Sequence, residues 1–192
     1  MLRKQDYKAA IQYAIKGMHL DWYVKNKTLL NLYGTYFWHL ELNRATRIIA
    51  AYEGDTLAGI LLADIHGEDK LRYSPLKAPF IKFMDFIQYI LNLDRAYNEA
   101  NKKLLKQYSK SFKADGEIIF LAVNPELQGR GTGSLLLAEL EEETKGKRLI
   151  LYTDDGCNYH FYEHKGFIKA GEETIHYHDF SLRCFLYEKN IP

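Results

Sequence analysis

The stretch VNPELQGRGTGSLLL, from Val123 to Leu137, decides how the rest of the chain is read. An apolar run ends at its left edge. Three glycines then alternate with Arg130 and Thr132, and a run with helical spacing follows. So much bare backbone at the mouth of a helix suits an anion. N–H groups at a helix start have no intrahelical acceptor, the helix dipole adds positive potential, and glycine lets a phosphate approach without Cβ obstruction. The N–H groups of Gln128, Gly129, Arg130, Gly131, Thr132, Gly133 and Ser134 are the candidate donors, and the Arg130 guanidinium can add a charge-assisted bond.

Two better-known phosphate loops do not fit. A P-loop needs a glycine–lysine–hydroxyl triplet, which the chain lacks here. The dinucleotide fingerprint GxGxxG needs its third glycine one residue later than Gly133, at the start of a repeated βα array.

Working outward, residues 117–123 (EIIFLAV) read as a short buried strand after a turn at Asp115-Gly116. Residues 134–145 read as a helix, and residues 148–153 (RLILYT) as a second buried strand. This is a βαβ unit, which sets a parallel strand pair in an otherwise antiparallel sheet. A short helix over residues 157–165 stops at Gly166, a natural C-terminal cap. Residues 175–178 and 181–187 form a last hairpin. Upstream, residues 47–52 and 56–65 flank Glu53-Gly54-Asp55 as another hairpin. Residues 5–16 and 25–43 have helical spacing. Ser74-Pro75 and Ala78-Pro79 punctuate the chain before two further helices between Phe80 and Phe112. The first, FIKFMDFIQYILNL, is apolar on much of its circumference. The second puts Tyr97, Ala100, Leu104, Tyr108 and Phe112 on one face.

The chain has 192 residues, enough for a real core. Its 26 Lys+Arg against 25 Asp+Glu offer no electrostatic case for nucleic acid or an anionic membrane. Neither a secretory h-region nor an apolar stretch long enough for a membrane span is evident, and two cysteines make no disulfide framework. The expectation is a cytoplasmic protein with no nucleic-acid or membrane partner. Fifteen tyrosines suggest an aromatic cleft or cluster.

The motif Gln128-Gly129-Arg130-Gly131-Thr132-Gly133 after a strand, followed by Phe161-Tyr162-Glu163-His164-Lys165-Gly166-Phe167 after the next strand, resembles the two signature blocks of the Gcn5-related N-acetyltransferase (GNAT) superfamily. The resemblance covers residues 117–167 well, the hairpin of residues 47–65 plausibly, and the remaining N-terminal half poorly. It implies an α/β fold: a mixed, mostly antiparallel central sheet with one parallel βαβ unit, flanked by helices. It implies one acetyltransferase domain over residues 1–192 with a helical insertion over about residues 75–115, where the family usually has a short turn.

The implied activity is transfer of acetyl from acetyl-CoA to a primary amine, of a small molecule or a peptide, by direct attack. Many members of the family form homodimers. By the same resemblance, backbone at Leu121 and Val123 binds the pantetheine arm, and residues Gln128 to Ser134 hold the pyrophosphate. Tyr162 protonates the leaving thiolate, and Glu117 stands where one branch has its general base. Many members place an asparagine where this chain has Asp155; Asn158, one helical turn before Tyr162, is the candidate to take over that cofactor contact. The Val123 N–H is a candidate to polarise the thioester carbonyl.

Two readings compete. One is a non-catalytic acyl-CoA-binding module. The other is a zinc protease through His160-x-x-Glu163-His164, whose helix ends almost at once and for which no third ligand follows. No metal is expected. Trp22, Tyr23, Tyr33, Tyr36 and Trp38 fall where the family walls its acceptor groove, though core packing accounts for most of them.

Overall fold

Strand β3 (Gly116–Val123) is the hinge of the architecture. On one side it pairs antiparallel with β2 (Thr56–Ile65), and on the other it pairs parallel with β4 (Arg148–Asp154). The computed structural model describes residues 2–71, 95–177 and 180–192; the side chains of Trp22 and Tyr23 also fall outside that description. The predicted apolar helix of residues 80–93, the two Pro breaks before it and His178 lie outside the described residues.

Six strands form one sheet in the order β1-β2-β3-β4-β6-β5, with β1 Arg47–Glu53, β5 Ile168–His176 and β6 Ser181–Asn190. Every pairing is antiparallel except β3 with β4. The mixed sheet and its single parallel pair match the sequence expectation. Gly116, expected in a turn, instead opens β3, opposite Ile65 on one side and Leu149 on the other.

The parallel pair is short. Only Gly116, Glu117 and Ile118 face partners on β4, namely Leu149, Ile150 and Leu151. Beyond them Ile119–Val123 keeps β2 alone as a neighbour, and residues 152–154 keep β6 alone. The two strands splay, and their inner backbone edges diverge in the middle of the sheet. A bulge sits at the branch point: Ile118 pairs with Ala63 and Phe120 with Leu62, so Ile119 is an extra residue. The bulge inverts the facing of the strand. Ile118 and Leu121 pack with one core cluster, while Ile119, Phe120 and Ala122 pack with another.

Helix α1 (Tyr7–Gly17), the short α2 (Leu20–Tyr23) and α3 (Lys27–Arg44) come before the sheet. Asn26 caps α3 by accepting from the N–H groups of Thr28 and Leu29. Helices α1 and α3 cover β1–β3 on one face, setting Ala10, Ala14 and Trp38 on Ile60, Leu62 and Phe120. Farther along the same face, α4 (Arg95–Tyr108) presses Ala100, Leu104 and Tyr108 onto Ile150, Cys184 and Leu186. Their four-residue spacing is one helical stripe. On the opposite face α5 (Thr132–Glu143) buries Leu136, Leu137 and Leu140 on Leu61, Ala63, Leu149 and Leu151. Each such leucine stabilises the fold by about 1.5–3 kcal/mol. The last helix, α6 (His160–His164), stands at the open end of the splay.

The root of the splay is tight. A Cβ at Gly116 would lie 2.8 Å from the Asp64 carbonyl oxygen, a backbone atom fixed by the sheet. Gly116→Ala should therefore destabilise the protein by about 1–3 kcal/mol, the usual cost of overpacking. Urea unfolding reads this directly, and an unchanged midpoint would contradict a closed root.

Candidate active site

Between the diverging ends of β3 and β4 lies a cavity of about 710 Å³. Leu121 and Val123 line it from β3, and Asn158 and Tyr162 from the opposite wall. Its mouth is the glycine loop: Gln128, Gly129, Gly131, Thr132, Gly133 and Ser134 all line it. Arg130 does not. Its guanidinium pairs with Glu53 at 2.9 Å on the surface, turned toward the β1–β2 hairpin.

Local chemistry shapes the loop. Asn124 is buried, donates its N–H to the Ala58 carbonyl, and accepts from the Glu126 N–H through its side chain. That pins a single 3₁₀ turn, Pro125–Leu127, at the end of β3. Gly129 (φ +80°) and Gly131 (φ +84°) then take left-handed backbone, which side-chain-bearing residues resist. Gly131 is the N-cap of α5 and carries no side chain to cap it. No backbone acceptor among the described residues takes the N–H groups of Gln128 to Ser134. These donors, together with the dipole of a twelve-residue helix, are what a pyrophosphate requires.

Tyr162 stands on the far wall, edge-on to Phe161 and Phe167. Burial, and next the neighbouring Cys157, raise its hydroxyl well above the ordinary tyrosine range. At neutral pH it is a proton donor. The Cys157 thiol, also on the wall, is pushed up to about 12 by burial and then by Asp154. It stays protonated and is a poor nucleophile. Asp155 faces away, bound to the Arg183 side chain at 2.9 Å and its N–H at 3.0 Å. Of the two candidates for that cofactor contact, Asn158 is the one at the cavity.

Glu117 lies elsewhere. It lines a second cavity, of about 400 Å³, to which both α3 and α4 contribute side chains. Met18, Tyr97, Ile118, Ile119 and Tyr152 border both cavities, which therefore meet. Glu117 accepts from Arg44 at 3.0 Å, and the same guanidinium reaches Glu41 at 3.0 Å. Glu41 is a buried carboxylate that sequence reasoning missed. Burial raises it to about 7, against the pull of Arg44 and with a push from Glu117. A lone glutamate within an aromatic helix has no motif to mark it; only the fold brings it beside Glu117. Tyr33 and Tyr36, both buried, line this second cavity, while Trp38 belongs to the core. Tyr97, Asn98 and Asn101 of α4 complete the wall. Helix α4 thus contributes to this cavity.

The HxxEH motif is spent on other contacts. Glu163 accepts from the Tyr187 hydroxyl at 2.7 Å and meets His160 at 2.7 Å. Among the described residues no group of three His, Cys, Asp or Glu side chains could hold a metal ion. Nor is any described helix long and apolar enough to cross a membrane.

Comparison with known proteins agrees with the fold. Residues 96–169 match the family model described as Acetyltransferase (GNAT) domain. A search of curated proteins found no match. Among solved structures, the chain is similar to the histone acetyltransferase HPA2 and related acetyltransferase from Corynebacterium glutamicum ATCC 13032. That match has a TM-score of 0.59 and 13% identity, and covers 100% of this chain and 94% of the other. A Pyrococcus horikoshii OT3 protein aligns with TM-score 0.58 and 18% identity over 99% and 94% of the two chains. An N-acetyltransferase from Staphylococcus aureus Mu50 gives 0.52 and 18% over 100% and 96%. At these identities the likeness is one of fold. What the comparisons share with this chain is the mixed sheet with its one parallel pair, together with the acetyltransferase model's match over residues 96–169.

The raised Glu41 carboxyl has a consequence for stability. Because the native state binds its proton more tightly than the unfolded chain, the contribution runs against the ionised form. Stability falls as pH climbs from the ordinary 4.5 through about 7. Glu41→Gln removes that titration and should flatten the decline between pH 5 and pH 8 by roughly 2–3 kcal/mol. Urea midpoints of both proteins at the two pH values check it; parallel declines would contradict it.

Proposed function

We propose that this protein is an acetyl-CoA-dependent N-acetyltransferase acting by direct transfer to an amine. The observation that carries the reading is the opening of β3 and β4 after three paired residues, directly below a loop of free N–H donors. Acetyl-CoA supplies an activated thioester. The residues here fit its parts: glycine-loop donors for the pyrophosphate, and the unpaired inner edge of β3 for the amides of the pantetheine arm.

The chain's own groups then divide the work. Gln128 to Ser134 orient the phosphates and fix the depth of the cosubstrate. The Val123 N–H donates toward the thioester oxygen, where negative charge develops. Tyr162 keeps its proton until the thiolate departs, and gives it up there. The amine comes from the second cavity, which meets the first at Ile118, Ile119 and Tyr152. An ammonium must lose a proton before it attacks. Glu117 takes it, directly or through water, while Arg44 holds its carboxylate in place. The weak acidity of the Cys157 thiol, which keeps it protonated, fits a route without a covalent enzyme intermediate.

Calorimetry with acetyl-CoA, followed by thiol release over an amine panel, tests this reading. One-to-one binding and amine-dependent release are expected, whereas failure to bind acetyl-CoA would sink it. Tyr162→Phe should lower turnover about 100-fold, within the range for a general acid, with acetyl-CoA affinity nearly unchanged. Unchanged turnover would remove Tyr162 as the acid.

A further inference from the structure

The second cavity has a one-sided charge balance. Among the described residues, the ionisable side chains on its wall are Glu41, Glu117 and Asp154 against a single cation, Arg44, besides the tyrosine hydroxyls. Arg44 is already engaged, with one arm on Glu41 and the other on Glu117, both at 3.0 Å. Among the described residues Asp154 has no cation against it. Its carboxylate takes the N–H groups of Gly156 and Cys157 at 2.9 and 3.1 Å. With all three acids ionised the described wall carries two uncompensated negative charges in a partly buried space. Burial, first of all, raises the proton affinity of both Glu41 and Asp154.

The rest of the described wall is apolar or neutral. Tyr33 and Tyr36, with ring centroids 6.0 Å apart, and Phe37 supply aromatic surface, on which an ammonium is attracted to the ring faces. Asn101 brings an amide oxygen that is buried and has no hydrogen-bond partner among the described residues. It is an acceptor suited to an N–H donor. The volume of about 400 Å³ is at the small end for ligand pockets, which suits a short flexible molecule.

We infer that this cavity recognises a compact alkyl diamine, one end placed at the splay to be acetylated and the other held as an ammonium among the carboxylates and tyrosines. The inference rests on the acetyltransferase reading for its orientation toward the splay. The same chemistry selects against amino acids. A substrate carboxylate would enter beside three acids, with the one guanidinium already shared between two of them. It also distinguishes diamines from monoamines: once the reacting nitrogen gives up its proton, a monoamine leaves the wall unbalanced, whereas a diamine keeps a positive end in place.

The test compares three ligands of one chain length by calorimetry on the full protein: putrescine, n-butylamine and γ-aminobutyrate. Putrescine should bind about tenfold tighter than n-butylamine, a step of 1.4 kcal/mol, and γ-aminobutyrate weakest of the three. Glu41→Gln, its folding checked by thermal unfolding, should erode the preference for putrescine over n-butylamine at least threefold or so while acetyl-CoA binds as before. Equal binding of the three ligands, absence of binding by all of them, or an undiminished preference in Glu41→Gln would overturn the inference. These titrations need no acetyl-CoA. A protein that binds putrescine selectively but not acetyl-CoA would refute the acetyltransferase reading alone, and one that binds acetyl-CoA but not putrescine would refute only the diamine.

Discussion

The structure depends on one interrupted pairing. Two parallel strands in the centre of a sheet normally satisfy each other's backbone along their full length, because buried N–H and C=O groups left without partners cost free energy. Here β3 and β4 pair over three residues and then part. The outer edges stay tied to β2 and β6, so the opening is held from both sides. Gly116, too crowded for a side chain, closes the root, and the bulge at Ile119 turns β3 so that Leu121 and Val123 face the α5 side. The result is a cleft with peptide edges as walls and a helix N-terminus at its mouth.

That arrangement organises two cavities with opposite requirements. The glycine loop offers positive potential without side-chain cations, since Arg130 is drawn off to Glu53. Backbone dipoles are fixed by the fold and lose no side-chain entropy on binding a phosphate. The second cavity offers negative potential, concentrated in Glu41, Glu117 and Asp154. Arg44 keeps the first two carboxylates together against their mutual repulsion. In the proposed reaction an anionic cosubstrate and a cationic acceptor approach from different sides of the same splay, where the two cavities share Ile118, Ile119 and Tyr152.

The sequence made much of this legible, for reasons that are local. Glycines at Gly129 and Gly131 mark left-handed backbone, and the flanking apolar runs mark a βαβ unit, so the loop and its sheet could be placed from the residues. Other features are products of tertiary packing. The bulge leaves no mark in EIIFLAV, because residues on both of its faces are apolar. Strand β5 begins at Ile168, well before the predicted hairpin, and its residues up to Glu173 are mostly exposed and lack an apolar run, as an edge strand can. Arg130 looks like a phosphate ligand beside the loop, yet a hairpin carboxylate distant in sequence captures it. Glu41 lacks any motif; its chemistry arises from burial and from a neighbour on another element.

Amide hydrogen exchange with and without acetyl-CoA tests the central claim most directly, that the splay and its loop hold the cosubstrate. Protection should appear at the N–H groups of Gln128 to Ser134 and along residues 119–123 of β3, while the fully paired β1–β2 hairpin stays unchanged. Acetyl-CoA binding that left both the loop and β3 exchanging at their free rates would contradict the account.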